Sequence, residues 1–161
     1  MAVHKLILDD VFEDVSCSLI ALHCTIEDYR LAFLLNKFLN IRLVRKPEDL
    51  DFDKGVTQYS FFEYEDTKKL INWNLISNIC KIETDSKLNP QSLFSQNHKV
   101  IRTYNLIPEY KKVNYFLKID SEFSNSKKNQ IINNILKIPQ VSMTYSVDMS
   151  NLKSKDNLIF D

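Results

Sequence analysis

The sequence predicts an α+β fold, with a mixed, largely antiparallel sheet and two main helices packed on one face of that sheet. Short apolar stretches with strand-like alternation recur along the chain, and two segments carry apolar residues at helical spacing. Each helix-like segment lies between two strand-like segments, so the chain contains two strand-helix-strand units. Helices that follow strands in this way pack on the sheet that those strands form.

Size and composition indicate one domain over residues 1–161. A chain of 161 residues with 44% hydrophobic and 26% charged residues is long enough and apolar enough to bury one core. Its 21 basic and 21 acidic residues cancel, so no net charge attracts it to nucleic acid or to an anionic membrane. No apolar run reaches the length of about 18 residues that a membrane span needs. Acidic residues also follow too closely after the start of the chain for a secretory signal to be expected.

The first strand-helix-strand unit begins at Cys17–Cys24, an apolar stretch that predicts a strand covered on both faces. Thr25 follows as a candidate helix cap, with acidic residues in the next turn. Leucine and phenylalanine then repeat at helical spacing as far as Asn40, which is a candidate stop. Residues 41–45 alternate as a second strand.

The middle of the chain predicts a hairpin between two loops. Residues 46–56 are acidic and contain Gly55, which predicts an exposed loop. Residues 58–64 and 71–80 predict the two strands of the hairpin, and residues 84–98 predict a polar loop.

The second unit runs from Val113 to Val147. A strand precedes Ser124, which predicts a helix cap, and Ile131, Ile132, Ile135 and Leu136 share one face of the helix that Pro139 closes. Residues 141–147 alternate as a strand, and the whole unit resembles half of a ferredoxin-like or ACT-like sandwich. The apolar end of the chain predicts a C-terminal edge strand at about residues 156–160.

The most conspicuous motif is Ile-Pro-Glu-Tyr-Lys-Lys-Val-Asn-Tyr at residues 107–115. It resembles the signature of the bacterial IPExxxVDY family, and the segment Thr25–Asn36 and the end of the chain resemble that family as well. The resemblance therefore spans most of the chain, but it implies no particular activity. In one position the motif departs from the family pattern, because Asn114 stands where the family has Asp.

Two interpretations of this signature are open. Pro108 favours an extended Ile107, and alternation then places Val113, Tyr115, Leu117 and Ile119 on one face of a strand. Glu109 and Asn114 would be either a polar functional pair or a turn clamp that accepts backbone N–H groups. Asn114 cannot act as a general base, which favours the clamp. The motif residues in this clamp are Ile107, Pro108, Glu109, Val113, Asn114 and Tyr115.

Several kinds of active site are not supported by the residues. Gly55 is the one glycine, whereas phosphate loops, dinucleotide turns and nucleophile elbows each need several. His23 and Cys24 point to opposite faces of a strand, so they cannot share a metal ion without a bulge. The same geometry argues against Cys24 as a nucleophile with His23 as its base, although His98 could approach Cys24 from elsewhere. We therefore expect no catalytic set, no metal and no cofactor. Three cysteines without metal-site spacing favour a reducing cytoplasm.

Two surfaces are candidates for nucleic-acid binding. The aromatic segment Tyr59–Tyr64 could form a base-stacking platform, but its acidic neighbours favour a core role. A basic strip flanks the signature, and its residues are Lys99, Arg102, Lys111, Lys112, Lys118, Lys127 and Lys128. The strip is either a phosphate-facing patch or ordinary solvated surface.

The leading functional hypothesis is a small cytoplasmic, non-enzymatic domain that binds a protein partner. The first alternative is an RNA- or ribosome-associated protein that uses the basic strip, and the second is an ACT-like dimer that senses a small molecule. The sequence favours a protein without enzymatic activity but does not exclude an enzyme, and it leaves the oligomeric state open.

Overall fold

The computed structural model describes residues 16–52, 54–85 and 99–160. Its two α-helices are α1 (Asp28–Leu39) and α2 (Asn125–Leu136). The strands are β1 (Ser18–Cys24), β2 (Val44–Arg45), β3 (Leu50–Phe52), β4 (Thr57–Tyr59), β5 (Phe61–Asp66), β6 (Ile71–Ser77), β7 (Ile79–Asp85), β8 (Lys99–Asn105), β9 (Tyr115–Ile119) and β10 (Val141–Val147).

A six-stranded sheet organises the chain, with the strand order β10-β1-β9-β6-β5-β2. Each pair of neighbours in this sheet is antiparallel. Two smaller antiparallel sheets, β3–β4 and β7–β8, complete the described strands. The predicted α+β class is confirmed. In the second unit, β9 and β10 flank β1 and are joined through α2, so β1 lies between the two strands of this strand-helix-strand unit.

Both faces of the sheet are covered, and α1 and α2 lie on the same face. Ile20 and Leu22 of β1 pack on the helix face with Leu31 of α1 and Ile135 of α2. Leu19 and Ala21 point to the opposite face, where the signature segment and the end of the chain cover them. The apolar β1 is therefore buried on both sides, as its composition predicts.

Several boundaries follow local sequence signals. Asn40 takes a left-handed conformation with φ of 55° and its N–H donates to Asn36 O, which ends α1. Ser124 caps α2, because its side chain accepts the N–H of Lys127. Residues 61–66 and 71–77 form the expected hairpin, and β10 has the predicted bounds.

Other boundaries differ from the prediction. The cap position of α1 is Glu27 and not Thr25, and no side chain makes a capping hydrogen bond there. The second strand is reduced to Val44–Arg45. The acidic segment 46–56 contains β3, because residues 50–52 pair with residues 57–59 across the turn at Gly55. Thr84 and Asp85 extend β7 into the predicted polar loop, and residues 86–98 lie outside the described residues.

The end of the chain docks as a 3-10 helix, Lys155–Leu158, and the predicted edge strand is wrong. Leu152 and Leu158 are buried in the cluster beneath the signature. Asn157 Nδ2 also donates to Leu106 O at 2.8 Å. The 3-10 turn lets the adjacent residues Asn157 and Leu158 both contact the region beneath the signature, whereas a strand would point neighbouring side chains to opposite faces.

Neither α1 nor α2, the helices of the described residues, is long and apolar enough to cross a membrane.

Candidate functional site

Asn78 holds the signature segment in place. Its side-chain Oδ1 accepts the N–H of Ile107 at 2.8 Å, and its Nδ2 donates to the carbonyls of Tyr110 and Val113, both at 2.9 Å. Ile107 is extended, with φ of −117° and ψ of 94°, and Pro108 opens the 3-10 helix Pro108–Tyr110. The side chain of Asn78 therefore bonds to both ends of the turn that contains the motif.

The backbone of Asn78 takes part in the same network. Its N–H donates to Asn114 O at 2.9 Å and its carbonyl accepts the N–H of Leu106 at 2.9 Å. Asn78 is completely buried, so each of these groups would cost free energy if it were left unpaired. Sequence analysis missed this residue, because a single asparagine between two strands carries no motif.

Glu109 and Asn114 do not contact each other through hydrogen bonds; each binds a different segment. Glu109 Oε1 accepts the N–H of Ser154 at 3.0 Å and its hydroxyl at 3.1 Å. Slight burial acts to raise the pKa of Glu109, but hydrogen bonds from its own backbone, from Ser154 and from Lys153 outweigh it and lower the pKa. The carboxylate thus fastens the end of the chain to the signature.

Asn114 fastens the signature to β1. Its Oδ1 accepts the N–H of Cys24 at 3.0 Å, next to an irregularity in the pairing of β1 with β10. Its backbone N–H donates to Leu22 O at 3.1 Å. The face prediction for Val113 is wrong: this residue precedes β9 and packs with Phe116 on the face opposite the helices, because regular alternation begins only at Tyr115.

Tyr115 completes the link to α1. Its hydroxyl donates to Ile26 O at 2.8 Å, just before the helix begins. Burial is the largest cause that raises the pKa of this hydroxyl, and the nearby groups Cys24, Asp28 and Glu27 act in the same direction. Tyr115 therefore stays a neutral hydrogen-bond donor. Through these contacts the signature at residues 107–115 meets the segment 25–36 and the end of the chain.

Cys24 and His23 lie on opposite faces of β1. Cys24 packs in the cluster beneath the helices, and burial raises its pKa to about 11. His23 Nε2 lies 3.3 Å from the hydroxyl of Tyr145 on the other side. Cys24 is thus a neutral thiol, and the described residues contain no cluster of histidine, cysteine and acidic side chains that could hold a metal ion. His98 lies outside the described residues.

The residues of the basic strip lie in three separate places. Lys111 and Lys112 precede β9, beside the end of β1 at Cys24, whereas Lys127 and Lys128 follow β9 beyond its other end. The seven residues of β1 separate these ends by roughly 20 Å at about 3.3 Å per residue. Lys99 and Arg102 lie on the β7–β8 ribbon, where Lys99 Nζ is 3.3 Å from Glu83 Oε2.

Lys118 is removed from the surface by its neighbours. Its Nζ lies 3.1 Å from Asp120 Oδ1 and 4.9 Å from the ring centroid of Phe160. The ion pair does not have hydrogen-bond geometry at Asp120 Oδ1. A lysine placed between a carboxylate and an aromatic ring is already neutralised, so Lys118 offers little to a phosphate.

The aromatic segment 59–64 belongs mostly to the core. Tyr59 and Phe61 are buried on the face opposite the helices, and Phe62 is buried on the helix face. Their position agrees with the core interpretation and not with a base-stacking platform.

A different aromatic pair is exposed. Tyr29 and Phe33 are four residues apart on the outer face of α1, with 63% and 68% of their surfaces exposed. Residues at this spacing are neighbours on a helix. The pair was not predicted, because both residues lie outside the apolar stripe that faces the core; two large aromatic residues outside that stripe were the available signal.

Two cavities open on the described surface. One of about 180 Å³ is lined by Phe52, Tyr104, Asn157 and their neighbours, and one of about 400 Å³ is lined mainly by polar and charged side chains near Arg45 and Asp51. Small-molecule sites usually have about 300–1,000 Å³ and an apolar lining. The first cavity is too small and the second too polar to fit that description.

No family model, no curated protein and no solved structure matches this chain.

Proposed function

We propose that this chain is a non-enzymatic protein-interaction module of the IPExxxVDY type that works in the cytoplasm, and that it binds a protein partner through the outer face of α1. The observation that carries this proposal is the exposed pair Tyr29 and Phe33. Rings that lie mostly in water contribute little to folding, whereas a protein interface would bury their exposed part; an aromatic side chain buries about 150–250 Å² in all.

The surroundings of the aromatic pair have the composition of an interface. Arg30 lies beside the rings and its guanidinium is 3.6 Å from Glu27, while Lys37 continues the same face by one further turn. An aromatic centre with a charged rim is typical of protein-binding surfaces, in which buried aromatic residues carry most of the binding free energy. The partner that fits this face has an apolar groove with charged residues at its margins.

The bonding of the signature residues supports a structural role for the motif. Glu109 and Asn114 each accept backbone N–H groups, and Tyr115 donates to a backbone carbonyl. Side chains that already bond to the protein are poorly placed to bind a ligand. The free thiols of Cys17, Cys24 and Cys80 agree with a reducing compartment.

The test is affinity capture with the full chain from an extract of the cells that express it, at low and at high salt. The double variant Tyr29→Ala, Phe33→Ala should lose the partner at least tenfold, since one hot-spot side chain contributes about 1.4 kcal/mol or more. Leu70→Ala is the matched control, because Leu70 is also a large, highly exposed apolar residue but lies at the β5–β6 turn.

Two outcomes would contradict the proposal. One is recovery of the same partner by the double variant and by the wild-type chain in equal amounts. The other is RNA as the sole captured species, lost at high salt because phosphate contacts depend steeply on salt. That result would favour the RNA-binding alternative, which the dispersed lysines do not support.

A further inference from the structure

β10 has an open outer edge in the part of the chain that the structure describes. It forms one edge of the six-stranded sheet and pairs with β1 on its inner side. Its seven residues, Val-Ser-Met-Thr-Tyr-Ser-Val, include no charge and no proline. Proteins usually protect an exposed edge strand with charged residues or proline, because the outer N–H and C=O groups of an unprotected edge pair readily with another strand.

The sequence of β10 is nearly symmetric about Thr144. Valine stands at both ends, serine at the second and sixth positions, and Met143 and Tyr145 flank the centre. When two copies of a strand pair antiparallel about a two-fold axis, each residue lies opposite the residue at the mirrored position. A two-fold axis at Thr144 would therefore place Thr144 opposite itself and Met143 opposite Tyr145 of the second copy. The symmetry does not extend to the outer pairs, because the irregularity at Ser142 leaves Val141 on the helix face and Val147 on the opposite face.

We propose that β10 pairs with β10 of a second copy of this chain, antiparallel and centred on Thr144, so that two six-stranded sheets join into one. The occupant of the edge is then the chain itself, because this register sets the unbonded hydroxyl of Thr144 opposite the same group of the second copy. This surface is separate from the α1 face, so the inference stands or falls independently of the proposed partner.

Thr144 supplies an independent observation. Its side chain is 8% exposed, and its Oγ1 is buried with no hydrogen-bond partner in the described residues. Buried hydroxyl groups are usually bonded, and an exception needs an explanation. Two threonines directly opposite each other on neighbouring strands can hydrogen-bond through their hydroxyls. Rotation of the Thr144 side chain toward the open edge would let the hydroxyl of the second copy provide that partner.

The other face of the strand gives apolar contacts. Met143 and Tyr145 pair with His23 and Ala21 of β1 on the face opposite the helices, and 54% of the surface of Met143 is exposed. In the symmetric register Met143 lies opposite Tyr145 of the second copy, twice in each dimer. Sulfur next to an aromatic ring is a favourable contact, and it covers the exposed methionine.

The irregularity in the pairing of β10 with β1 does not affect Met143, Thr144 and Tyr145. The pairing with β1 shifts between His23 and Cys24, which leaves Ser142 as an extra residue in β10, and its hydroxyl bonds to His23 O. Residues 143–147 keep regular pairing with β1. The central pairs of the proposed dimer lie in this regular part.

Sedimentation of the full chain from low to high micromolar concentration tests the proposal. We expect a species of twice the 19.0 kDa chain mass. Met143→Lys should give the monomer, because it sets two positive charges near each other across the axis. Ile101→Lys should remain dimeric; Ile101 is a similarly exposed strand residue, on β8. Circular dichroism checks that both variants are folded.

A disulfide test fixes the register. Thr144→Cys places one cysteine opposite its own copy and should give a covalent dimer on mild oxidation. Ser146→Cys lies opposite Ser142 and should not, and the wild-type chain, oxidised in parallel, accounts for its own three cysteines. The proposal is overturned by a wild-type monomer at every concentration, by a dimeric Met143→Lys, by dissociation of Ile101→Lys to the same extent, or by equal cross-linking at positions 144 and 146.

Discussion

The side chain of Asn78, the residue between β6 and β7, accepts the N–H of Ile107 at 2.8 Å and so joins this junction to the first residue of the signature, which is 29 positions away. Both residues are completely buried. The same side chain donates to Tyr110 O and Val113 O, so a single amide fixes a turn that has no regular secondary structure of its own beyond one 3-10 helix.

Replacement of Asn78 by alanine should be strongly destabilising. The change leaves one buried N–H and two carbonyls without their partner, and each unpaired buried group costs about 1–3 kcal/mol. We expect a loss of about 3 kcal/mol or more in the free energy of unfolding, measured by urea denaturation. Asn133→Ala is the matched control, because Asn133 is exposed on α2; it should change stability by less than about 0.5 kcal/mol. Equal effects of the two changes would contradict the role of Asn78.

Asn114 gives a test of the clamp. Asn114→Ala removes the acceptor of the Cys24 N–H and should cost about 1–2 kcal/mol. Asn114→Asp keeps an oxygen in that place and should retain most of the stability. Urea denaturation of the three proteins ranks them. An alanine variant as stable as the wild type would refute the clamp at this position.

Glu109 should make stability depend on acid pH. Its pKa is lowered in the folded chain, so the stability that it contributes is present above the unfolded-state pKa and is lost as the pH falls through the lower folded-state pKa. Because Glu109 is exposed, screening keeps this contribution below about 1 kcal/mol. Glu109→Gln should therefore lower the urea midpoint slightly at neutral pH and not at strongly acid pH.

The control for this experiment is Glu122→Gln, which removes an exposed glutamate outside the signature. That variant should keep the pH dependence of the wild-type chain. If Glu109→Gln has the same pH profile as the wild-type chain, the carboxylate of Glu109 does not contribute through its charge.

Local signals in the sequence were sufficient for the parts of the fold that depend on neighbours along the chain. Asn40 ends α1, Ser124 begins α2 and the alternation of residues 141–147 gives β10 its bounds. Each of these features depends on backbone geometry or periodicity within a few residues, which a single sequence displays directly.

Features that depend on distant segments were not predictable in the same way. Asn78 is important because of carbonyls that lie 32 and 35 positions away, and nothing near it in the chain indicates them. The basic strip was predicted from residues that are close to the signature in sequence. In the structure β9 lies between Lys111 and Lys127, so these two residues are at opposite ends of that strand. The apolar end of the chain predicted a strand at about residues 156–160, whereas the adjacent Asn157 and Leu158 both contact the region beneath the signature from a 3-10 turn.

Leu158 and Ile159 form a matched pair for testing how the end of the chain docks. Leu158 is 1% exposed and Ile159 is 68% exposed, although they are adjacent. Leu158→Ala should cost about 2–4 kcal/mol in the free energy of unfolding through lost burial and the cavity left behind, whereas Ile159→Ala should cost less than about 0.5 kcal/mol. Thermal or urea unfolding measures both. Similar losses at the two positions would contradict the 3-10 docking.

Cys24 should be resistant to alkylation in the folded chain. With its pKa raised to about 11 by burial, roughly one molecule in a thousand carries the thiolate at a pH of about 8, and the thiolate is the reactive form. Mass spectrometry after iodoacetamide treatment should therefore find Cys24 unmodified while the chain is folded and modified when urea is present. Cys80, which is partly exposed, is the internal control and should react in the folded chain. Rapid labelling of Cys24 without denaturant would mean that this thiol is activated, and it would reopen the possibility of nucleophilic chemistry next to the signature.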